Sequence, residues 1–243
     1  MPQVPEFSMR KVPKMALSNQ IRRFAKVLAG NDLFVSKEID VDYYVLGSPY
    51  GKWPLVTRQT SEHSVIYSFG VGEDISFDLR AIDVFQCPVF AFDPTPKAVH
   101  WIRQQQTPPL FHFIELGLGT AVGEMSFHSP RTEAHVSYTV SNRKGVTTKA
   151  VVAPVADLRT IMQRLHHSRI DVLKMDVEGA EYGVIDNLAD QGCLPQQLMI
   201  EFHHGMYGYG TADTRKALAT LKNLGYRRYY VSETGRELAF LFC

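Results

Sequence analysis

From residue 65 onward the chain alternates short apolar runs with amphipathic stretches, and no other feature narrows the available folds as far. Residues 65–69, 89–92, 111–116, 170–175 and 198–202 read as buried strands. Helical spacing of apolar residues occupies 75–82, 97–106, 156–165, 180–190 and 211–224. Strand–helix repeats of this length close into a doubly wound α/β sheet with right-handed, parallel crossovers. The last two apolar runs, 227–231 and 238–242, are joined only by the turn at 233–236. That is too short for a crossover, so they form a hairpin and the sheet ends with one antiparallel strand. Between residues 121 and 155 the alternation breaks, and 125–127, 136–140 and 149–152 read as short antiparallel strands of a β-hairpin insert. The expected organisation is a catalytic domain over residues 61–243 behind a helical and loop extension, residues 1–60, packed on its core. Within that extension, 17–28 forms a basic amphipathic helix, expected to lie solvated on the domain edge rather than on a membrane or in a transit element.

Charge excludes one broad class. Lys and Arg total 26 against 25 Asp and Glu, so no global field favours nucleic acid, although Arg131, Arg143, Lys144 and Lys149 gather near the insert. Cys87, Cys193 and Cys243 lie far apart without a CxxC pair, which fits a reducing compartment. No apolar run approaches the ~20 residues of a membrane span, and the N-terminal stretch lacks the apolar core of a secretory signal. A cytoplasmic protein without integral membrane contact is expected, its oligomeric state left open.

Gly70-Val71-Gly72 lies between the first strand and its helix. Glycines there let the backbone turn tightly against a ligand, whose polar groups meet free N–H groups at the helix start. Asp93 ends the next strand 21 residues after Gly72, where a carboxylate accepts hydrogen bonds from two ribose hydroxyls. A dinucleotide fingerprint requires a third glycine where Ile75 stands, and Glu73 and Asp74 would oppose a pyrophosphate. S-adenosylmethionine carries sulfonium and ammonium charges and no phosphate, so acids at the turn favour it. The candidate cofactor site is therefore Gly70, Gly72, Glu73, Asp74 and Asp93. A nicotinamide-dependent oxidoreductase is the alternative enzyme, and a non-catalytic binding module with the same fold is the alternative class.

A second cluster follows the fourth strand. Lys174, Asp176, Glu178 and Glu181 place four charges within eight residues at the sheet end where α/β folds hold ligands. Such charges beside a buried run are costly unless paired or used. The segment Asp171-Val172-Leu173-Lys174-Met175-Asp176-Val177-Glu178-Gly179-Ala180-Glu181 resembles the signature of the FkbM-type methyltransferases. Ala91-Phe92-Asp93-Pro94-Thr95-Pro96 is similar to that family's acidic-Pro-x-Pro element. Tyr50-Gly51-Lys52-Trp53-Pro54 and the stretch 67–77 resemble its methyltransferase-like branch. The resemblance implies a Rossmann-like methyltransferase sheet with S-adenosylmethionine as cofactor and Gly70, Gly72 and Asp93 in its site. Where the common family turn has an acid and a second glycine, this chain has Ser68 and Asp74, leaving Glu73 or Asp74 to grip the methionine end.

Methyl transfer requires alignment, and a hydroxyl acceptor also benefits from a general base. The strand ends supply Asp176, Glu178, Glu201, His203 and His204. Asp176 or His203 is the expected base, with Glu178 beside them. Trp53, Glu181, His204 and Tyr207 are expected at the acceptor. The glycine-hinged loop 205–210 is placed to act as a lid, and Tyr50 and Trp53 to close the opposite wall. His166 and His167 are expected on a helix surface in solvent, and His112, His128 and His135 facing solvent or the insert. A divalent ion on Asp176, Glu178, Glu201 and His203 is a variant, but no contiguous metal motif supports it and a metal-free site is expected. The expected acceptor is a hydroxyl on a small molecule or sugar, with a peptide also possible.

Overall fold

The computed structural model describes residues 17–130 and 146–243. In chain order it contains helix α1 (Leu17–Leu28), strands β1 (Tyr43–Leu46), β2 (Trp53–Val56) and β3 (Ile66–Phe69), helix α2 (Ser76–Phe85), β4 (Val89–Phe92), α3 (Pro96–Ile102) and β5 (Phe111–Ile114). Then come β6 (Gly117–Leu118), β7 (Gly123–Pro130), β8 (Val146–Ala156), α4 (Leu158–Arg164), β9 (Val172–Met175) and α5 (Glu181–Gln191). The chain ends with β10 (Gln197–Glu201), α6 (Thr211–Asn223), β11 (Tyr226–Val231) and β12 (Glu237–Phe242).

Seven strands form one sheet in the order β11-β12-β10-β9-β3-β4-β5. The neighbours β10–β9, β9–β3, β3–β4 and β4–β5 are parallel. This is the doubly wound α/β sheet expected from the alternation. All four residues of β3 are buried, because alternate side chains enter opposite layers. Tyr67 and Phe69 pack with Ile161 of α4, Ile185 and Leu188 of α5, and Leu221 of α6. Ile66 faces the other layer, with Phe77 and Ala81 of α2 and Trp53 and Leu55 of β2.

A hairpin therefore does part of a helix's covering work on that second face. β1 and β2 pair antiparallel, and the fully buried Gln197 pins them to the sheet. Its Oε1 accepts from the Val56 amide at 2.9 Å, while Nε2 donates to the Val56 carbonyl at 3.2 Å and to Thr60 Oγ1 at 3.1 Å. Periodicity misses this hairpin because β2, Trp53-Pro54-Leu55-Val56, carries a proline, which argues against a strand.

The antiparallel strand is the C-terminal one, as the sequence suggested, but it lies inside the sheet rather than at its edge. β12 lies between β10 and β11, antiparallel to both. Its Leu238, Ala239, Phe240 and Leu241 are buried, whereas β11 carries Arg227 and Arg228, which suit an edge. That edge is covered in turn: the amides of Glu38 and Ile39 donate to the Arg228 carbonyl at 2.7 and 3.2 Å.

The insert forms its own sheet, ordered β6-β8-β7, with β7 and β8 antiparallel. The third expected strand, 136–140, lies outside the described residues, as do His135, Arg131, Arg143 and Lys144. β8 runs through Ala156, and α4 starts only after Asp157, whose Oδ1 caps it by accepting from the Thr160 amide at 3.0 Å. His167 is half-buried rather than solvated: its Nδ1 lies 2.7 Å from the Tyr67 hydroxyl and its ring packs edge-on to Phe90. Among the described residues no helix is long and apolar enough to cross a membrane.

Beneath the glycine turn the second layer contains a buried polar group. Both carboxyl oxygens of Asp78, in the first turn of α2, and the Ser68 hydroxyl lack hydrogen-bond partners among the described residues. Lys174 Nζ is nearby, 5.4 Å from the Trp53 ring centre, donating to the carbonyls of Phe69 and Gly70 at 3.4 Å each. Burial pushes the Asp78 carboxyl up to about 6 against the pull of Lys174. A folded-state value above the unfolded ~3.9 means that the folded chain holds the proton more tightly. This contribution is complete below the unfolded value and is lost as pH rises through 6. Relative to Asp78→Asn, wild-type stability should therefore fall by ~2–3 kcal/mol between pH 4 and 6.5 in urea melts. A stability gap independent of pH would refute the assignment.

Candidate active site

The chain leaves β3 toward β4 on one side, while β9 lies on the other, so a crevice opens at the carboxyl ends of β3 and β9. The turn at its mouth is built on a close backbone approach. Gly70 has φ +72°, and a Cβ there would lie 1.7 Å from the Asp176 carbonyl oxygen. No side chain fits. The Gly70 amide donates to Phe92 O at 2.9 Å, and the Asp176 amide to Phe69 O at 3.1 Å, tying together three strand ends.

This geometry directs the Gly72 amide at Asp93 Oδ2, 3.0 Å away. Asp93 Oδ1 accepts from the Thr95 amide at 2.9 Å and the Thr95 hydroxyl at 2.6 Å. Burial pushes the Asp93 carboxyl above its ordinary range, and the bonds from Thr95 and Gly72 oppose that shift. Gly70, Gly72, Glu73, Asp74 and Asp93 all line one cavity of about 310 Å3, so the expected cofactor residues are brought together. Phe92, Leu118 and Phe127 supply apolar wall. Leu118 and Phe127 belong to the insert, and nothing local in the sequence marks them.

The two acids after the turn are already engaged. Glu73 pairs with Lys97 Nζ at 3.0 Å. Asp74 Oδ1 accepts from the Ser76 amide at 2.9 Å and Oδ2 from the Ser48 hydroxyl at 2.6 Å. Partial burial would raise the Asp74 carboxyl, but hydrogen bonds from Ser48 and Ser76 outweigh it and hold the group below its ordinary range. Ser48 Oγ in turn accepts from the Gly51 amide at 2.9 Å, which carries Tyr50 to the cavity wall. Asp74 thus clasps a loop as well as facing the cavity.

At the inner end of the cavity, the ends of β9 and β10 converge. His203 Nε2 lies 3.3 Å from Glu178 Oε2, 3.7 Å from Asp176 Oδ1 and 3.9 Å from Glu201 Oε1. Its other nitrogen, Nδ1, is 3.2 Å from Glu181 Oε1, which also accepts from the His203 amide at 2.9 Å. Burial alone would depress the imidazole, but the hydrogen bond and charge of Glu181, with Glu178 and Asp176, push it up to about 10. Enclosure raises Glu201 to about 8, and the Asp176 carboxylate reinforces that shift. Asp176 is likewise raised by enclosure, to about 6, with Lys174 and His203 pulling the other way. His203 therefore holds its proton at neutral pH and does not serve as the free base, whereas a carboxylate can.

Tyr207 reaches the cluster as expected of a lid residue, its hydroxyl donating to Glu178 Oε2. Both Tyr207 and Glu178 are left-handed, at φ +52° and +50°, a conformation that costs ~1–2 kcal/mol for side-chain-bearing residues. Three other expected acceptor contacts lie elsewhere. Trp53 is buried beneath Lys174 in the core, because β2 packs on the sheet and only Tyr50 of that segment lines the cavity. His204 is buried between Asp32 Oδ1, 3.1 Å from its Nε2, and Thr214 Oγ1, 3.4 Å from its Nδ1. Glu181 is fully buried, accepting from the Gly179 amide and from His203, so it positions rather than contacts. Ser48, Thr95 and Gln197 were missed by sequence reasoning, since their importance comes from partners distant in the chain.

The chain is similar to known proteins. The methyltransferase FkbM domain family matches residues 67–228. The probable methyltransferase-like protein 24 of Rattus norvegicus is 25% identical over 181 residues, covering 72% of this chain and 44% of the relative. Its Homo sapiens counterpart is 27% identical over 181 residues, covering 72% and 43%. The chain thus spans less than half the length of these curated relatives. Among solved structures, an FkbM methyltransferase from Methylobacillus flagellatus KT aligns at a TM-score of 0.45 with 13% identity, covering 75% of this chain and 44% of that one.

The close approach at Gly70 gives a paired test. Gly205 is also left-handed, at φ +79°, but a Cβ there would meet nothing within 4 Å. Gly205→Ala should cost only ~1 kcal/mol, the backbone penalty. Gly70→Ala adds the clash and should cost at least ~3 kcal/mol in denaturant unfolding. Equal costs would show that the strand ends separate freely at this point.

Proposed function

The chain belongs to the methyltransferase FkbM domain family, and from that premise we propose that it binds S-adenosylmethionine in the cavity beside Gly70 and methylates a hydroxyl of a small molecule or sugar. The residues present fit this cofactor. The turn is a cradle that a Cβ at Gly70 would fill, and Asp93 offers a carboxylate to a ribose diol. Phe92, Leu118 and Phe127 suit an aromatic base, and the acids Glu73 and Asp74 suit the cationic end. The tie of Asp93 to Gly72 and Thr95 is the observation that carries the reading, because it aims a buried carboxylate into this cavity.

When bound, the cofactor would supply an electrophilic methyl carbon, so that an acceptor oxygen would form a C–O bond as the C–S bond breaks with its electron pair left on sulfur. Asp176 lines the cavity, with Glu201 beside it at the end of β10. The Asp176 carboxylate receives the hydroxyl proton, as a general base requires. Glu181 fixes the ring of His203, and the imidazolium offsets the negative charge of the cluster. Tyr207 closes over Glu178 and limits the access of water.

Binding of labelled S-adenosylmethionine tests the assignment directly. Asp93→Asn keeps the side-chain shape, and Asp93→Ala removes it. Each should weaken binding about a hundredfold, the value of two charge-assisted hydrogen bonds. Unchanged affinity in folded variants would sink the site assignment.

A further inference from the structure

The cluster at the inner end of the cavity has the geometry of a metal site. One ligand atom from each of Asp176, Glu178 and His203 lies within 4.8 Å of the other two. An ion held at ~2.0–2.3 Å from each ligand requires separations of ~3–4 Å. His203 Nε2 already lies 3.3 Å from Glu178 and 3.7 Å from Asp176, so closure takes a fraction of an ångström per side chain.

A group of acids alone would not make a site. The independent observation is His203, whose side chain is only 2% exposed. Its Nε2 points into the carboxylates of Glu178, Asp176 and Glu201, at 3.3, 3.7 and 3.9 Å. Behind it, Nδ1 lies 3.2 Å from the fully buried Glu181, which also holds the His203 amide. A carboxylate on Nδ1 fixes the ring so that Nε2 can present its lone pair to an ion once its proton is displaced, the usual arrangement behind a metal-bound histidine. Glu178 and Asp176 both line the cavity, so further coordination positions open toward a bound acceptor.

We propose that Asp176, Glu178 and His203 bind a divalent first-row transition-metal ion, Mn2+ being the probe, at the floor of the methyl-transfer cavity. One imidazole with two carboxylates and no thiolate suits Mn2+ or Zn2+ better than soft, thiophilic ions, and the cysteines are elsewhere in the fold. The ion takes the place of the Nε2 proton. This inference rests on the hydroxyl-methylation reading for its chemistry. A hydroxyl docked on the open side of the ion would be made more acidic, releasing its proton to solvent and keeping the electron pair that attacks the methyl carbon. Tyr207 holds Glu178 Oε2 and so competes with the ion at that oxygen until the lid moves.

Chelator-treated protein should be titrated with Mn2+, following the free-ion signal by electron paramagnetic resonance, with labelled S-adenosylmethionine binding measured on the same samples. The expected result is one saturable site per chain. His203→Asn should weaken it at least tenfold. The shape-conserving Glu181→Gln should weaken it less, in the ten-fold range seen when a carboxylate behind a ligand is lost. Both variants should bind S-adenosylmethionine within a few-fold of wild type, which confirms that they fold. Absence of saturable Mn2+ binding in wild-type protein that still binds S-adenosylmethionine would overturn the ion site alone, as would His203→Asn binding Mn2+ like wild type. Saturable Mn2+ binding without S-adenosylmethionine binding would support the ion site and overturn the methyl-donor reading instead.

Discussion

The backbone at Gly70 lies so close to the backbone at Asp176 that no side chain can come between them, and the working end of the sheet depends on that contact. Lys174 reinforces it from below by donating to the carbonyls of Phe69 and Gly70. Phe69 stacks on Phe92 with ring centres 4.2 Å apart, pressing β3 against β4 in the opposite layer. The Gly72 amide consequently meets Asp93, and Asp176 is placed at the inner end of the same cavity. The cavity beside Gly70 and the acidic cluster are thus one mechanical unit, and moving either strand end moves both.

That unit is rich in negative charge. Asp74, Asp78, Asp93, Asp176, Glu178, Glu181 and Glu201 surround two buried cations, Lys174 and His203. Two like charges 4 Å apart repel by ~4 kcal/mol at an effective dielectric of 20, so each acid requires its own remedy. Asp74 and Asp93 take hydrogen-bond donors, Asp78 holds a proton up to about pH 6, and Glu181 takes the Gly179 amide and His203. Asp176, Glu178 and Glu201 share what remains of His203. The least compensated charge therefore faces the cavity, where a sulfonium, or an ion seated on the same carboxylates, is stabilised.

The sheet was legible in the sequence because strand and helix periods differ, and β3, β4, β9 and β10 fell where apolar runs ended in glycine or acid. The convergence of Gly70, Gly72 and Asp93 on one cavity was legible for the same reason, since they lie at strand ends. What could not be read depended on contacts across the chain. Trp53 looked like a wall residue beside Tyr50, but the bonds of Gln197 to Val56 draw β2 into the core. His203 and His204 are neighbours, yet one faces the carboxylates and the other Asp32, because the chain leaving β10 alternates its direction. Likewise β12 entered the sheet interior because its apolar side chains serve two faces, which a count of hairpin turns does not reveal.

Strain marks where this rigid unit must also yield. Glu178 and Tyr207 both hold left-handed backbones and are bonded to each other. The flanking structure imposes these conformations: Glu181 holds the Gly179 amide, the Gly205 amide donates to Tyr209 O at 2.8 Å, and Tyr209 stacks on Tyr182 at 4.2 Å. Strain of this kind persists only where the surroundings over-determine it. The loop between His203 and Tyr209 is thus packed at both ends, and the Tyr207–Glu178 hydrogen bond is its contact with the carboxylates. A ligand that takes Glu178 displaces one hydroxyl rather than a whole loop. Access to the cluster can therefore change without disturbing the Gly70–Asp176 contact that sets the cavity beside it.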